Sequence, residues 1–390
     1  MINGWKTVVC GISGGVDSAV AAILLRKTGY NVLGLYMRNW DIADENGFCA
    51  AETDFEDAQY TCDKLKIPLH QVNFVKEYWN NVFSSFLQDY QKGLTPNPDI
   101  LCNRHIKFDA FLKHALGKLG ADAIATGHYA RVGRGPENLR RSQPDPRVKL
   151  LSSVDSVKDQ TFFLSQISQE SLQKSLFPIG NLPKKEVREI ACSHGLEKIA
   201  RKKESMGICF IGSRNFSSFI KEYVVPCPGN FVDVETGKIV GQHQGIHFWT
   251  LGQRTNLGGH SYAYFVAEIN PNNQDIIVAP GTHHAALFRD SFITDKPHWI
   301  HSEPEFNEGV ATVNFRFQHI HPLVTCHIQR SNDNKYTVTL EKPLRAICPG
   351  QYAVFYKDEE CLGSAKILTV NPSYWRQNKQ NPIDPTKDFL

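Results

Sequence analysis

Eight consecutive residues, Gly11, Ile12, Ser13, Gly14, Gly15, Val16, Asp17 and Ser18, join an apolar run, Thr7-Val-Val-Cys-Gly11, to a helix-like run, Ala19-Val-Ala-Ala-Ile-Leu-Leu25. The order reads as strand, glycine-rich turn, helix. Such a turn points several backbone N–H groups into one concavity, and the helix dipole adds partial positive charge there. That chemistry is anion binding, and phosphate is the natural anion. The octet lacks the Gly-Lys-Ser/Thr ending of a Walker loop and the G-x-G-x-x-G of a dinucleotide fingerprint. A bare Gly-Gly pair serves as a tight turn in any parallel α/β sheet. The two serines and Asp17 around the glycines are what point further.

Sulfur chemistry is the second possibility. Ten cysteines are scattered along the chain and none forms a C-x-x-C pair, which argues against a zinc ribbon or a thioredoxin-type dithiol. Cys102 lies in Thr95-Pro-Asn-Pro-Asp-Ile-Leu-Cys-Asn-Arg-His-Ile-Lys-Phe108, after which apolar residues recur at helical spacing (Phe108, Phe111, Leu112, Ala115, Leu116, Leu119). That spacing predicts Cys102 at or near a helix N-terminus, where the dipole, Arg104 and Lys107 favour thiolate over thiol. Asp99 either moves a proton or caps the helix. Cys209, between Ile208 and Phe210, is by default a small core hydrophobe. The basic residues before it and the glycines on both sides, Gly207 and Gly212, are its unusual features. Chemistry alone does not pair the two thiols.

The elements that must position these groups change character near residue 214. Before it, strands (Thr7–Gly11, Asn31–Met37, Leu69–Val75, Ala121–Ala125) alternate with helices (Asp54–Leu65, one through Trp79–Leu87, Lys158–Gln166, Lys184–His194). That alternation predicts an α/β fold with a doubly wound parallel sheet. Its ligands bind beyond the carboxyl ends of the strands, where the octet, Met37, Gly127 and His128 fall. From about Phe216 the period shifts toward two. A hairpin is expected over Asn230–Val240, and strands over Tyr262–Ile269, Ala311–Phe317, Thr325–Gln329, Tyr336–Leu340 and Gln351–Tyr356. The expected organisation is a catalytic domain over 1–213, a small β module over 214–284 and a C-terminal β-barrel over 285–370. A polar, loose tail is expected over 371–390.

At 390 residues with 41% hydrophobic content the chain suits two or three globular domains. Its longest purely apolar run, Ala19–Leu25, is far short of a membrane span. Strand-like sequence begins by about Lys6, so no presequence is expected within the chain as given. A net charge of +3 does not advertise a nucleic-acid protein. Basic residues do cluster from Arg131 to Leu150 and again at Lys198, Arg201, Lys202 and Lys203. Each cluster is either a solvated surface or a contact for a polyanion.

The octet resembles the SGGxDS pyrophosphate loop of ATP pyrophosphatases, which split ATP between its α and β phosphates and leave AMP on a substrate oxygen. Together with Thr95–Asn103, Gly120–Tyr129, Lys158–Leu164, Gly207–Gly212 and Thr250-Leu-Gly-Gln-Arg254, it resembles the tRNA-specific 2-thiouridylases in motif order over nearly the whole chain. Gln160-Thr-Phe-Phe163 and Glu204-Ser-Met-Gly207 are more similar to the animal mitochondrial members than to the bacterial ones. The resemblance implies ATP as cofactor, bound by Gly11 to Ser18, Met37 and Gly127; Mg2+ is expected because the ATP phosphates need neutralising, with Asp17 as an indirect ligand. It also implies a tRNA whose wobble uridine is flipped out of the anticodon stack and is held by Asn97, Pro98 and Asp99, with Asp99 as acid/base. Further tRNA contacts are implied at His128, Lys158, Asp159, Gln160, Arg316, Phe317 and Gln351. The sulfur is implied to arrive as a persulfide on Cys209 from a cysteine desulfurase or relay protein, with Cys102 as the second catalytic thiol and a Cys102–Cys209 disulfide as the by-product. Mitochondrial location, with the cytoplasm as alternative, follows from the same likeness, and a monomer clasping tRNA with three domains is the simplest expectation. Two rivals stand beside it: a ligase of the same loop type acting on a small carbonyl compound, and a non-catalytic RNA-binding protein.

Overall fold

The computed structural model describes residues 4–40, 50–133, 147–203, 215–331 and 333–380. Cys209, the Glu204-Ser-Met-Gly207 motif and most of the basic stretch after Arg131 lie outside the described residues.

The β-branched run Thr7–Gly11 forms β1, buried from Val8 onward. The turn at Gly14 (φ +75°) feeds helix α1, Val16–Lys27. Asp17 in its first turn and Arg26 and Lys27 in its last complement the helix dipole. β2 (Asn31–Arg38), helix α2 (Ala50–Leu65), β3 (Leu69–Asn73) and β4 (Ala123–Ala125) follow. A hairpin of β5 (Ala130–Gly133) and β6 (Lys149–Ser152) then leads to β7 (Ser175–Leu176). The order β3-β2-β1-β4-β7, parallel throughout, is the expected doubly wound sheet. Its fifth strand was not expected, because two residues are too few to show a period. One core layer joins α1, α2 and the helix Lys184–Ser193 to the sheet. A second packs the aromatic helical run from Val75 to Gln91 and the run from Pro98 to Leu119 on the other face.

The small module is a four-stranded sheet of β8 (Gly229–Asp233), β9 (Ile239–His243), β10 (Tyr264–Asn270) and β11 (Asp275–Pro280), in the order β10-β11-β8-β9. The last domain comprises β12 (Phe288–Thr294), β13 (His298–Trp299), β14 (Val310–Arg316), β15 (Val324–Arg330), β16 (Tyr336–Arg345), β17 (Tyr352–Lys357) and β18 (Glu360–Val370). Antiparallel pairing runs β12-β16-β15-β14-β17-β18, and β18 returns to β12, closing the barrel. β13 lies against β18 outside that circuit.

Two expectations need correction, and one strand was not expected. The helix over Lys158–Gln166 shrinks to Thr161–Leu164, because Asp159 leaves the helical path to bind neighbours described below. β18 escaped notice because it is buried on both faces, between the barrel core and the catalytic domain, and so carries no alternation. The start of the tail is not loose. Ser373 is fully buried, Tyr374 N–H donates to the Phe288 carbonyl (3.0 Å), and Arg376 and Lys379 pair with Glu268 (3.1 Å) and Asp290 (2.8 Å).

The barrel core centres on Phe292 and Phe315, both fully buried with ring centroids 5.2 Å apart. Phe315→Ala is expected to destabilise the barrel by about 3–5 kcal/mol, read as a lowered midpoint of its urea transition. An unmoved midpoint would mean the barrel is not held by this pair.

Candidate active site

At the carboxyl end of β1 the loop is tied to itself. Ser18 Oγ accepts from the Ser13 N–H (3.2 Å), donates to the Gly15 carbonyl (3.0 Å) and lies 3.2 Å from Ser13 Oγ. Ile12 is buried, its N–H donating to the Leu35 carbonyl of β2 (3.0 Å), and Val16 is buried at the start of α1. Two glycines are required by close approach. A Cβ at Gly14 would stand 2.4 Å from the Asp54 carbonyl oxygen, and one at Gly127 would stand 2.5 Å from the Ser18 nitrogen. Gly127 therefore lets the end of β4 close on the N-terminus of α1. Gly11 is in ordinary contact range of Phe111 and Met37, so Met37 borders the loop.

Asp17 is held by two neighbours within the chain. Lys184 Nζ lies 2.8 Å from each of its carboxylate oxygens, and the Tyr129 hydroxyl donates to it at 2.9 Å. The Lys184 backbone N–H in turn donates to Asp155 Oδ2 (2.9 Å). Tyr129 and Lys184 escaped the sequence reading. Pro183-Lys184-Lys185 looks like any basic start to a surface helix. Among the described residues no three His, Cys, Asp or Glu side chains gather to hold a metal. With Asp17 already engaged, these residues do not fit a magnesium ligand set.

The Cys102 segment begins with an N-cap. Asn97 Oδ1 accepts from the Ile100 N–H (3.2 Å), and Pro98 occupies the first helical position. The helix thus starts earlier than the apolar spacing suggested, and Cys102 falls in its second turn, buried. From Asn103 to Ala110 the helix is π-helical, then α-helical to Leu119, where Gly120 (φ +64°) caps it. Burial pushes the Asp99 carboxyl above the ordinary range, opposed by the Lys107 charge. Arg104 turns to Gln166 Oε1 (2.8 Å), whose Nε2 donates to Ser364 of β18 (2.8 Å to Oγ). Phe108 packs on the His128 ring (5.7 Å).

The residues expected to contact tRNA fall into two groups. Gln351 meets Asn97, with Asn97 Nδ2 to Gln351 Oε1 at 3.2 Å, so the barrel reaches the loop before the helix. Gln160 holds Tyr129 by both its main chain (2.8 Å) and Oε1 (3.0 Å). Lys158 is half-buried beside it. The others face inward. His128 is buried on Thr126 Oγ1 (2.7 Å), and burial, then the Lys107 charge, keeps its imidazole neutral well below the usual range. Asp159, 3% exposed, accepts from the Ser153 N–H (3.0 Å), Thr161 Oγ1 (2.7 Å) and Arg316 Nη2 (2.7 Å). Arg316 also donates to the Tyr356 hydroxyl (3.0 Å), and His319 Nε2 meets the Asp159 carbonyl. Phe317, 1% exposed, lies in the barrel core beside Phe315 (6.2 Å, 17°). Its ring is enclosed within the barrel core. The basic cluster at Lys198 and Lys202 is likewise engaged, by Asp57 (2.7 and 2.6 Å) and Asp54 (2.9 Å) beside Gly14.

Residues 6–213 match the family described as the tRNA methyl transferase HUP domain, more than half of the chain. Residues 217–280 match the tRNA methyl transferase PRC-barrel domain and 289–367 the aminomethyltransferase beta-barrel domain. Mitochondrial tRNA-specific 2-thiouridylase 1 of Gallus gallus is 50% identical over 99% of this chain and 97% of its own. The chain belongs to the tRNA-specific 2-thiouridylase family. The Drosophila melanogaster protein of the same name is 52% identical over 94% of this chain and 95% of its own. The bacterial tRNA-specific 2-thiouridylase MnmA of Staphylococcus epidermidis is 47% identical over 93% and 95%. For a 2-thiouridylase-family chain, the site described above gathers a phosphate-type loop, a half-buried carboxyl and a buried thiol around one helix.

Asp99 has a stability signature. Its raised carboxyl disfavours the charged form in the folded state, so Asp99→Asn is expected to melt higher than the wild type at neutral pH. The difference should vanish as pH falls below the carboxyl's ordinary range, where Asp99 is protonated folded and unfolded alike. Melting curves across pH check this, and a constant difference at all pH values contradicts it.

Proposed function

We propose that the chain is an ATP-dependent tRNA 2-thiouridylase acting on the wobble uridine in mitochondria as a monomer. One observation carries the reading: a single helix brings Asp99 and Cys102 between the loop at Gly11, which Phe111 abuts, and the barrel's Gln351, which grips Asn97. Its family membership supports the same chemistry.

In the first half-reaction the N–H groups of Ser13 to Ser18 hold the ATP phosphates at the N-terminus of α1. The C2 oxygen of the uridine attacks the α-phosphorus, and pyrophosphate leaves. Forming that O–P bond makes N3=C2, so the N3 proton must go to a base, and Asp99 takes it. In the second, the terminal sulfur of a persulfide on Cys209 attacks C2 and AMP departs with the former oxygen. Cys102 thiolate then attacks the Cys209 sulfur, releasing the base as 2-thiouridine and leaving a Cys102–Cys209 disulfide; alternatively it frees the sulfur first, as hydrosulfide. Asp99 returns the N3 proton. A persulfide donor, such as a cysteine desulfurase or a relay protein, reloads Cys209 after a dithiol reduces the disulfide. No step is assigned to magnesium, since Asp17 is already held by Lys184 and Tyr129.

Wild type with a cysteine desulfurase, radiolabelled cysteine, Mg-ATP and unmodified tRNA is expected to yield labelled 2-thiouridine, whereas Cys209→Ser and Cys102→Ser yield none. Full thiolation by Cys209→Ser would remove the persulfide step, and AMP formed on a small carbonyl acceptor but not on tRNA would replace this reading by a ligase. Lys184→Met is expected to slow pyrophosphate release about tenfold or more, the loss of one charged hydrogen-bond partner, with Lys184→Arg retaining part of the rate. Unchanged release in Lys184→Met would place Lys184 outside the reaction.

A further inference from the structure

Asn103 follows Cys102 directly and is 3% exposed. Its Nδ2 donates to the Phe163 carbonyl at 3.0 Å, which fixes the amide, because only the NH2 end can face a carbonyl. The other end, Oδ1, is buried and meets no donor among the described residues. Buried acceptors are almost always paired, and a bare one is a standing penalty that an incoming donor removes.

The helix puts that bare oxygen beside the reacting groups. The Asn103 N–H bonds to the Asp99 carbonyl, so the two residues are one α-helical turn apart. Asp99, Cys102 and Asn103 stand at i, i+3 and i+4, on one face, with about 5–6 Å between successive turns. Cys102, 4% exposed, is about as enclosed as Asn103. Whatever admits a nucleotide to the thiol therefore admits it to the amide.

This step rests on the thiouridylase reading above. A uridine inside an RNA chain, its 3′ and 5′ oxygens held in phosphates, offers two hydrogen-bond donors: N3–H and the ribose 2′-hydroxyl. The N3 proton has to be given up when O2 is adenylated, and a carboxylate can take it while an amide oxygen cannot. That assigns N3 to Asp99. C2 lies between N3 and the ribose-bearing N1, so a helix face with Asp99 on the N3 side and Cys102 at C2 carries Asn103 toward the ribose. We propose that Asn103 Oδ1 accepts a hydrogen bond from the 2′-hydroxyl of the nucleotide being thiolated, so that the enzyme reads ribose at the modified position. The 2′-hydroxyl is the group by which a protein tells RNA from DNA at one site.

The test pairs two tRNAs, identical except for uridine or 2′-deoxyuridine at the wobble position, with wild type and Asn103→Ala in single-turnover thiolation. Removing either partner of one hydrogen bond should have the same effect and removing both no more. Wild type is expected to slow roughly 10- to 100-fold on the deoxy substrate, and Asn103→Ala to treat both tRNAs alike. Equal rates for wild type on the two tRNAs overturn the proposal, and so does an equal drop in both enzymes, which would place the 2′-hydroxyl contact elsewhere. If Asn103→Ala does not fold, the wild-type comparison still decides whether the 2′-hydroxyl is read. Thiolation of neither tRNA by wild type defeats the thiouridylase reading itself, a result distinct from loss on the deoxy substrate alone.

Discussion

A carboxylate and a guanidinium buried between two domains constrain everything else in this molecule. Asp159 belongs to the catalytic domain and Arg316 to the barrel, and they meet at 2.7 Å with the Tyr356 hydroxyl against the same guanidinium. A buried pair of this kind adds little net stability over an apolar contact, but separating its members leaves an uncompensated charge in a dry interface. It therefore acts on geometry, by penalising every placement of the barrel in which Arg316 misses Asp159. Around it the β6–β18 pairing and the Gln166–Ser364 hydrogen bonds continue the same seam. With the barrel so fixed, Gln351 arrives at Asn97 and the Pro349 carbonyl at the Thr95 N–H (2.9 Å).

Four strands of the parallel sheet were legible because short, largely apolar runs there alternate with helical periods, whereas β7, two residues long, was not. The barrel strands that alternate were legible too, while β18, covered on both faces, was not. Phe317 follows the same alternation. In β14 the residues Ala311, Val313 and Phe315 face the core, and a period of two carries Phe317 inward with them. Arg316, between the two phenylalanines, is turned outward by the same rule, which is how it reaches Asp159. For Cys102 the missed signal was local: asparagine followed by proline is an N-cap with proline at the first helical position, which starts the helix at Pro98. Lys184 and Asn103 carried no signal in sequence, because what marks each is a partner, or a missing one, far along the chain.

The helical run from Pro98 to Leu119 links these constraints. At 1.5 Å per residue it is about 30 Å long, enough to touch the barrel at one end and the sheet at the other. Asn97 at its start is held by Gln351, Asn103 by Phe163, Phe108 by His128, and Phe111 by Gly11. A straight α-helix would carry one face along its whole length, yet these contacts lie toward different neighbours. The π-helical stretch from Asn103 to Ala110 resolves the conflict. Its wider turns rotate every later residue relative to Asp99 and Cys102, so Phe108 and Phe111 face the sheet while the first turn faces the barrel. Such segments break the regular hydrogen-bond ladder and persist where the surroundings hold them, often at functional sites. Here it begins at the residue after the thiol, so the register change that seats the helix on the phosphate loop also fixes how Cys102 and Asn103 are presented.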